Sequence, residues 1–198
     1  MGLTQFYGLS LVTSPGDVMI PRPATEDLVR PAVEWTGDRP ARVVDVGTGS
    51  GAVAIAIASA APAAELWATD TSRNAVSLAR ANVRRQGLSD RVVVRRGDLL
   101  DPVPGSVDLV VANLPYLPGR EASSLPELAL ERHDAVFAGG DGLGPYRRLL
   151  AQCAERLADD GGVLIQFRRK VLGAPRIEVP ALLDELERHA GAGIRVAA

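Results

Sequence analysis

The chain has 198 residues, a length typical of one domain around a single core. Its 22 basic and 24 acidic side chains nearly cancel, which excludes a global field that would attract nucleic acid or an anionic membrane surface. Because no run is long enough to span a membrane, no signal peptide is evident and Cys153 is the lone cysteine, we expect a cytoplasmic protein.

Short apolar runs alternate with helical patterns along the chain. Predicted strands lie at 42–46, 65–69, 91–95, 107–112 and 162–167. The runs are mostly unbroken, as expected for strands that helices cover on both faces. The alternation predicts βαβ units and an α/β fold with a doubly wound, mostly parallel sheet flanked by helices.

The helical patterns lie between these runs. Residues 52–59 favour a helix, and residues 72–86 carry an apolar stripe that ends before Gly87. A second stripe comprises Tyr146, Leu149, Leu150, Cys153 and Leu157. A short helix near 181–190 and a last apolar run at 194–198 complete the pattern. Residues 115–144 are rich in Pro and Gly, and a long loop of this kind is often functional.

A glycine-rich turn follows the first predicted strand of the sheet. Residues 45–51 read DVGTGSG and lead directly into the predicted helix over 52–59. Glycine lets the backbone turn sharply and approach a ligand, and the N-terminus of a helix offers free N–H groups. The turn therefore predicts a nucleotide-binding crevice that includes Gly47, Thr48, Gly49 and Gly51.

The acid at the start of this turn separates two candidate nucleotides. The dinucleotide fingerprint is G-x-G-x-x-G/A, whereas this turn reads D-x-G-x-G-x-G, and Ala52 leaves the dinucleotide pattern open. Asp45 suits a ligand with an ammonium group and a sulfonium charge, but it would repel a pyrophosphate. S-adenosylmethionine (SAM) therefore fits better than NAD.

Two further carboxylates follow strands. Asp70 comes about 20 residues after the turn, where a carboxylate accepts both ribose hydroxyls, although it could instead cap the next helix. Asp98 follows the third strand and suits the adenine amino group, with a plain turn as the alternative. The predicted cofactor residues are thus Asp45, Gly47, Thr48, Gly49, Gly51, Asp70, Asp98 and Asn113, and no metal ligands are predicted.

The motif NLPY at residues 113–116 ends the fourth strand, at the edge where open α/β sheets place their sites. An amide or aryl amine nitrogen is a poor nucleophile because its lone pair is delocalised, so it must be oriented. The side-chain carbonyl of Asn113 and the backbone carbonyl of Leu114 can each accept one N–H. Pro115 stiffens the turn and Tyr116 offers a stacking surface. We predict these four residues as catalytic, acting by positioning and electrostatics.

These motifs together resemble the HemK/PrmC family of glutamine N5-methyltransferases, which modify the conserved glutamine of translation release factors. The matching segments are FYG at 6–8, IPRPATE at 20–26, the SAM-binding segments 45–57 and 68–70, NLPY, and AGGDGL at 138–143. The resemblance implies a class I, Rossmann-like methyltransferase with SAM as donor. It also implies one domain over 1–198, with an N-terminal segment and helix over 1–36 and a core over 41–198.

Several departures from the family bear on the acceptor. The chain has no room for the helical domain with which long bacterial members grip the release factor, and its C-terminus stops one strand short of the usual antiparallel hairpin. Ala24 stands where an acid is usual, and ERH at 131–133 replaces Glu-Pro-Arg. Leu114 replaces the first motif proline, which makes NLPY similar also to adenine N6-dimethyltransferases acting on ribosomal RNA.

The predicted function is methyl transfer from SAM to a protein glutamine side-chain amide. Alternatives are methylation of adenine in RNA or DNA, which a basic groove beside Tyr116 would indicate, and of a small molecule, if residues 115–144 close over the pocket. An inactive SAM-binding subunit and a nicotinamide-dependent reductase are further alternatives. The expected partner is a protein, nucleic acid stays open, no membrane contact is expected, and the sequence sets no oligomeric state.

Overall fold

The computed structural model describes residues 1–115, 117–118, 137–138, 143–166 and 194–197. Tyr116, most of the predicted loop over 115–144 and the predicted helix over 181–190 lie outside these residues. Within the described ranges, no helix is long and apolar enough to cross a membrane.

The predicted strands and helices of the core occur in the predicted order, together with short strands that the sequence did not predict. The elements are β1 (Gly2–Phe6), β2 (Leu9–Thr13), a 3₁₀ helix (Pro23–Leu28), α1 (Val29–Thr36), β3 (Ala41–Val46), α2 (Ala52–Ala60), β4 (Ala64–Asp70), α3 (Arg73–Arg85), β5 (Val92–Arg96), β6 (Val107–Ala112), β7 (Leu117–Pro118), β8 (Phe137–Ala138), α4 (Gly144–Arg156), β9 (Leu157–Gln166) and β10 (Ile194–Ala197).

Six of these strands form one sheet, in the order β10-β9-β6-β3-β4-β5. Each neighbouring pair in it is parallel, including β10 beside β9. The strand order reverses between β3 and β6, and a crevice at such a switch point is where open α/β sheets bind ligands. The predicted α/β class with a parallel, doubly wound sheet is confirmed.

Successive residues of the central strands are buried in two different layers. Val43 packs with α1, α2 and α3 in one cluster, whereas its neighbour Val44 packs with α4 in another. Cys153 is fully buried in this second cluster, as expected for a core thiol. Because both faces of the sheet are covered, the strands read as unbroken apolar runs in the sequence.

The strand β9 begins earlier than predicted. The sequence placed its start at residue 162 and assigned Leu157 to the preceding helical stripe, which is wrong. The helix ends at Arg156, and Leu157 is already extended (ψ 141°) and paired with Val107. The ladder shifts register before Gly162 pairs with Leu109. The start of β9 includes two exposed aspartates, so it does not show the apolar pattern of a buried strand.

An N-terminal hairpin, β1 and β2, was not predicted from the sequence. Its two-residue turn has positive φ at Tyr7 (49°) and Gly8 (76°), as a type I′ hairpin turn requires. The fully buried Asn82 of α3 accepts from the N–H of Val12 (2.8 Å) and donates to the carbonyls of Val12 (3.0 Å) and Ser50 (2.9 Å). This side chain ties the hairpin to the glycine turn.

Candidate active site

A cavity of about 260 Å³ opens at the carboxyl edge of the sheet. The structure brings most of the predicted site residues into its wall, and these are Asp45, Gly47, Thr48, Gly49, Asp70, Asp98, Asn113, Leu114 and Pro115. Gly51 lies outside the lining and serves as the N-cap of α2 with φ of 83°. Tyr116 lies outside the described residues.

The glycine turn is held by backbone contacts to the neighbouring strand. The N–H groups of Gly47 and Thr48 donate to the carbonyl of Thr69 in β4, at 2.9 and 3.0 Å. Gly47 has φ of 72°, and a Cβ added there would lie 2.7 Å from a side-chain methyl of Leu114. The positive φ favours glycine at this position, and a Cβ would also displace the Leu114 side chain of the acceptor motif.

Asp45 fixes the start of α2. Its Oδ2 atom accepts from the Thr48 hydroxyl (2.6 Å) and from the N–H of Ala54 (3.1 Å), one of the helix N–H groups without an intrahelical partner. Burial raises the pKa of Asp45 to about 6; the nearby Asp70 charge adds to the rise, and the two hydrogen bonds oppose it. The contacts of Asp45 are thus to the turn and the helix.

Asp45→Asn should make protein stability less dependent on pH. The raised pKa means that the folded state binds the proton more tightly than the unfolded chain, so stability falls as pH rises from about 4 to 6. The change amounts to about 2 kcal/mol between about pH 4 and pH 7. Urea unfolding of both proteins across this range measures it, and identical pH profiles would contradict the prediction.

Asp70 holds two backbone segments at the end of β4. Its Oδ2 accepts from the N–H of Gly49 (3.0 Å) and its Oδ1 from the N–H of Ser72 (2.8 Å). The N-cap of α3 is Ser72, whose hydroxyl accepts from Ala75, so the alternative capping role of Asp70 is wrong. A carboxylate offers about four acceptor positions, so these two bonds are compatible with accepting ligand hydroxyls as well.

Asp98 has a partner that the sequence did not suggest. Its carboxylate forms an ion pair with the guanidinium of Arg148 in α4, and both residues line the cavity. The two side chains are 38% and 60% exposed, so this contact sits at the mouth of the cavity and adds little stability. No local pattern could reveal it, because 50 residues separate the partners.

The acceptor motif is held by two residues that sequence reasoning missed as site residues. The amide nitrogen of Asn113 donates to the Thr25 hydroxyl at 3.3 Å. The N–H of Leu114 donates to the Tyr146 hydroxyl (3.0 Å), which in turn lies 3.1 Å from the carbonyls of both Leu114 and Gln166. Tyr146 was interpreted only as a core residue, although a buried tyrosine usually needs a hydroxyl partner.

Tyr146→Phe should destabilise the protein by about 1–3 kcal/mol, because it leaves the buried N–H of Leu114 without a partner. The matched control is Tyr7→Phe, which removes a hydroxyl from a residue that is 37% exposed. Chemical denaturation measures both changes in the free energy of unfolding. Equal stability of the two variants would show that the Tyr146 hydroxyl does not hold the motif.

Comparison with known proteins identifies the family to which the chain belongs. The family model of the methyltransferase small domain matches residues 30–132, about half of the chain. The chain belongs to this family. The class I methyltransferase fold and the cofactor SAM, both predicted from the sequence, are confirmed by this membership.

Curated relatives of this family member carry a more specific name. It is 43% identical over 168 residues to the release factor glutamine methyltransferase of Gloeobacter violaceus, covering 83% of the chain and 58% of the relative. It is 42% identical over 172 residues to that of Deinococcus radiodurans, covering 84% and 59%. The resemblance to the HemK/PrmC family is confirmed, and the chain spans less than two thirds of these relatives.

Solved structures of methyltransferases share its fold. The ribosomal protein L11 methylase of Lactobacillus delbrueckii subsp. bulgaricus has a TM-score of 0.60 at 24% identity, over 87% of this chain and 71% of that one. The hMettl16 catalytic domain in complex with a 3'UTR hairpin has a TM-score of 0.68 at 18% identity, over 93% and 67%. At these identities the likeness concerns the fold alone.

The cavity of this methyltransferase family member fits SAM in shape and charge. Because Gly47 and Gly49 carry no side chains, the backbone of the turn borders the cavity directly at these positions. Four carboxylates line the cavity, from Asp17, Asp45, Asp70 and Asp98. Such a set suits the ammonium group, the sulfonium centre and the ribose hydroxyls of SAM, and disfavours the pyrophosphate of a dinucleotide.

Proposed function

We propose that this chain transfers a methyl group from SAM to the side-chain amide nitrogen of a glutamine in a protein. This is the reaction that the name of its relatives, release factor glutamine methyltransferase, describes. One observation carries the proposal. The motif at the end of β6 presents Asn113 and Leu114 to the same cavity that the glycine turn lines, so donor and acceptor sites adjoin. The carbonyl groups of both residues suit the two N–H groups of a primary amide.

The residues proposed to bind SAM lie on the glycine turn and at the ends of the strands. Asp70 accepts the ribose hydroxyls, and Asp98 accepts from the adenine amino group at the mouth of the cavity. Asp45 contributes negative charge near the sulfonium while it holds the turn in place. Gly47, Thr48, Gly49 and Gly51 form the turn that lets the backbone approach the ligand.

The acceptor side works by orientation. When bound, SAM would supply the methyl group on its sulfonium; the sulfur–methyl bond would break as the nitrogen–methyl bond forms, leaving S-adenosylhomocysteine, and the nitrogen would release one proton to water. The Asn113 side-chain carbonyl and the Leu114 backbone carbonyl each accept one N–H of the substrate amide, which directs the nitrogen lone pair towards the donor. Pro115 keeps the turn rigid, and Tyr116, which lies outside the described residues, stays predicted as a stacking surface for the acceptor group. The same two carbonyls favour the transition state, in which the nitrogen gains positive charge.

Within the residues that the structure describes, the place of the densest basic cluster favours a protein acceptor over a nucleic acid. Residues 73–96 contain seven arginines and one acid. They span α3, the turn after it and β5, and β5 lies three strands from β6 in the sheet, about 14 Å from the acceptor motif at strand spacing. The charges that line the cavity are mostly carboxylates, which repel a phosphate backbone.

The proposal treats residues 1–198 as a single methyltransferase domain. The N–H of Tyr7 donates to Glu26 (2.7 Å), and Asn82 binds the β2 backbone, so residues 1–36 are tied to the core over 41–198. We also propose that the protein is cytoplasmic. In the cytoplasm a free thiol such as that of the buried Cys153 stays reduced.

Methyl transfer from tritiated SAM to a purified release factor tests the proposed function. We expect label on the release factor, and none on a variant whose acceptor glutamine is replaced by alanine. A parallel reaction in a cell lysate is divided between protease and nuclease. Label that nuclease removes and protease leaves would overturn the protein acceptor in favour of a nucleic acid.

A further inference from the structure

The segment that precedes α1 lies against the acceptor motif. Thr25 sits in the 3₁₀ helix Pro23–Leu28, is 8% exposed and lines the cavity. Its N–H donates to the carbonyl of Arg22 at 2.9 Å, which fixes the backbone beneath the hydroxyl. The hydroxyl contacts the Asn113 amide from a residue 88 positions away in the chain.

Two further contacts hold this segment in place. Glu26 accepts from the backbone N–H of Tyr7 in the N-terminal hairpin, and the side-chain amide of Gln166 at the end of β9 donates to the carbonyl of Ala24. Thr25 lies between these two anchors. The position of its hydroxyl is therefore fixed by the hairpin on one side and by the sheet on the other.

The orientation of the Asn113 amide at Thr25 determines whether the amide oxygen or the amide nitrogen faces the acceptor group. An asparagine amide has a donor end and an acceptor end, and the donor nitrogen is the one 3.3 Å from the Thr25 hydroxyl. With the nitrogen held there, the carbonyl oxygen is the polar atom left to accept. A rotated amide would present N–H groups to the N–H groups of the substrate, which repel each other.

We propose that Thr25 is a positioning residue, whose hydroxyl holds the Asn113 amide so that its carbonyl oxygen receives the acceptor nitrogen. The inference rests on the proposed function for its effect on rate. It assigns a role to the N-terminal segment beyond folding, since removing one hydroxyl should slow transfer without weakening SAM binding.

Thr25→Val keeps the shape of the side chain and removes the hydroxyl. We expect kcat for the release factor to fall about tenfold, which corresponds to about 1.4 kcal/mol and lies within the usual contribution of one hydrogen bond, with SAM affinity by calorimetry unchanged within about twofold. Thr25→Ser should restore the rate to within about threefold. The matched control is Thr36→Val, at a buried threonine whose hydroxyl, among the described residues, donates to the carbonyl of Val33 within α1.

A second measurement does not depend on the acceptor. The side-chain amide of Asn113 gives a pair of NMR signals, identified by their loss in Asn113→Ala. Thr25→Val should shift these signals and speed their exchange with water, whereas Thr25→Ser and Thr36→Val should leave them in place. If the signals depended on packing and not on the hydroxyl, Thr25→Ser, which lacks the methyl group, would alter them more than Thr25→Val.

The outcomes separate the inference from the proposed function. If the unmodified protein labels no release factor, the proposed function fails and the NMR signals alone decide on Thr25. If it labels the release factor but Thr25→Val keeps the full rate and unchanged Asn113 signals, the positioning role is wrong. A lowered rate that Thr25→Ser does not restore would also overturn it.

Discussion

Asn113→Ala is expected to slow methyl transfer by about a hundredfold or more, while SAM affinity stays within about twofold. The alanine removes one of two carbonyls that orient the acceptor nitrogen, and such preorganised groups typically contribute a hundredfold to a thousandfold in rate. SAM affinity should persist because the turn and Asp70 are untouched. Single-turnover transfer with tritiated SAM, combined with calorimetry, measures both quantities.

The matched variant for this prediction is Asn113→Asp. Aspartate keeps an oxygen acceptor at the same position, and the Thr25 hydroxyl can donate to it instead of accepting. We expect Asn113→Asp to retain more activity than Asn113→Ala. A near-full rate for the alanine variant, in a protein that unfolds at the same temperature, would show that Asn113 does not orient the acceptor.

Asp70→Ala should weaken SAM binding by about a hundredfold. Each charge-assisted hydrogen bond to a ribose hydroxyl contributes about 1.5 kcal/mol or more, and the alanine removes two such acceptors. It also releases the N–H of Gly49, which loosens the turn at the centre of the site. Calorimetric titration with SAM measures the loss.

Asp90→Ala serves as the control for net charge. Asp90 is an exposed acid in the turn before β5, so its loss changes the total charge of the protein by the same amount without touching the cavity. We expect its SAM affinity to match that of the unmodified protein. Equal affinities in all three proteins would remove Asp70 from the cofactor site.

The parallel sheet and the glycine turn were predictable because their determinants are local. A strand covered on both faces requires an unbroken apolar run, as at Val107–Ala112, where both predicted ends match the structure. The turn requires glycine at Gly47 because its φ of 72° is a backbone conformation that L side chains rarely adopt. The strand ends then place Asp45, Asp70 and Asn113 at one edge, since parallel strands all end on the same side.

Element boundaries were less predictable where burial changes along a strand. The first five residues of β9 are partly or fully exposed and include two aspartates, so they do not form an apolar run, and the pairing of Leu157 with Val107 exists only in the sheet. The N-terminal hairpin has a local sequence signal, because Tyr7-Gly8 is a two-residue turn between two segments of alternating residues. Reading that turn would have predicted β1 and β2.

The sequence by itself determined the fold class, the cofactor and the residues at the strand ends, because each depends on short-range spacing and residue chemistry. Only the tertiary structure decided which side chains hold the site in its geometry. Thr25 reaches Asn113 across 88 residues, Tyr146 reaches Leu114 across 32, and Arg148 pairs with Asp98 across 50. Hydrogen bonds form between atoms brought together by packing of the sheet and its helices, and no periodicity along the chain records such pairs.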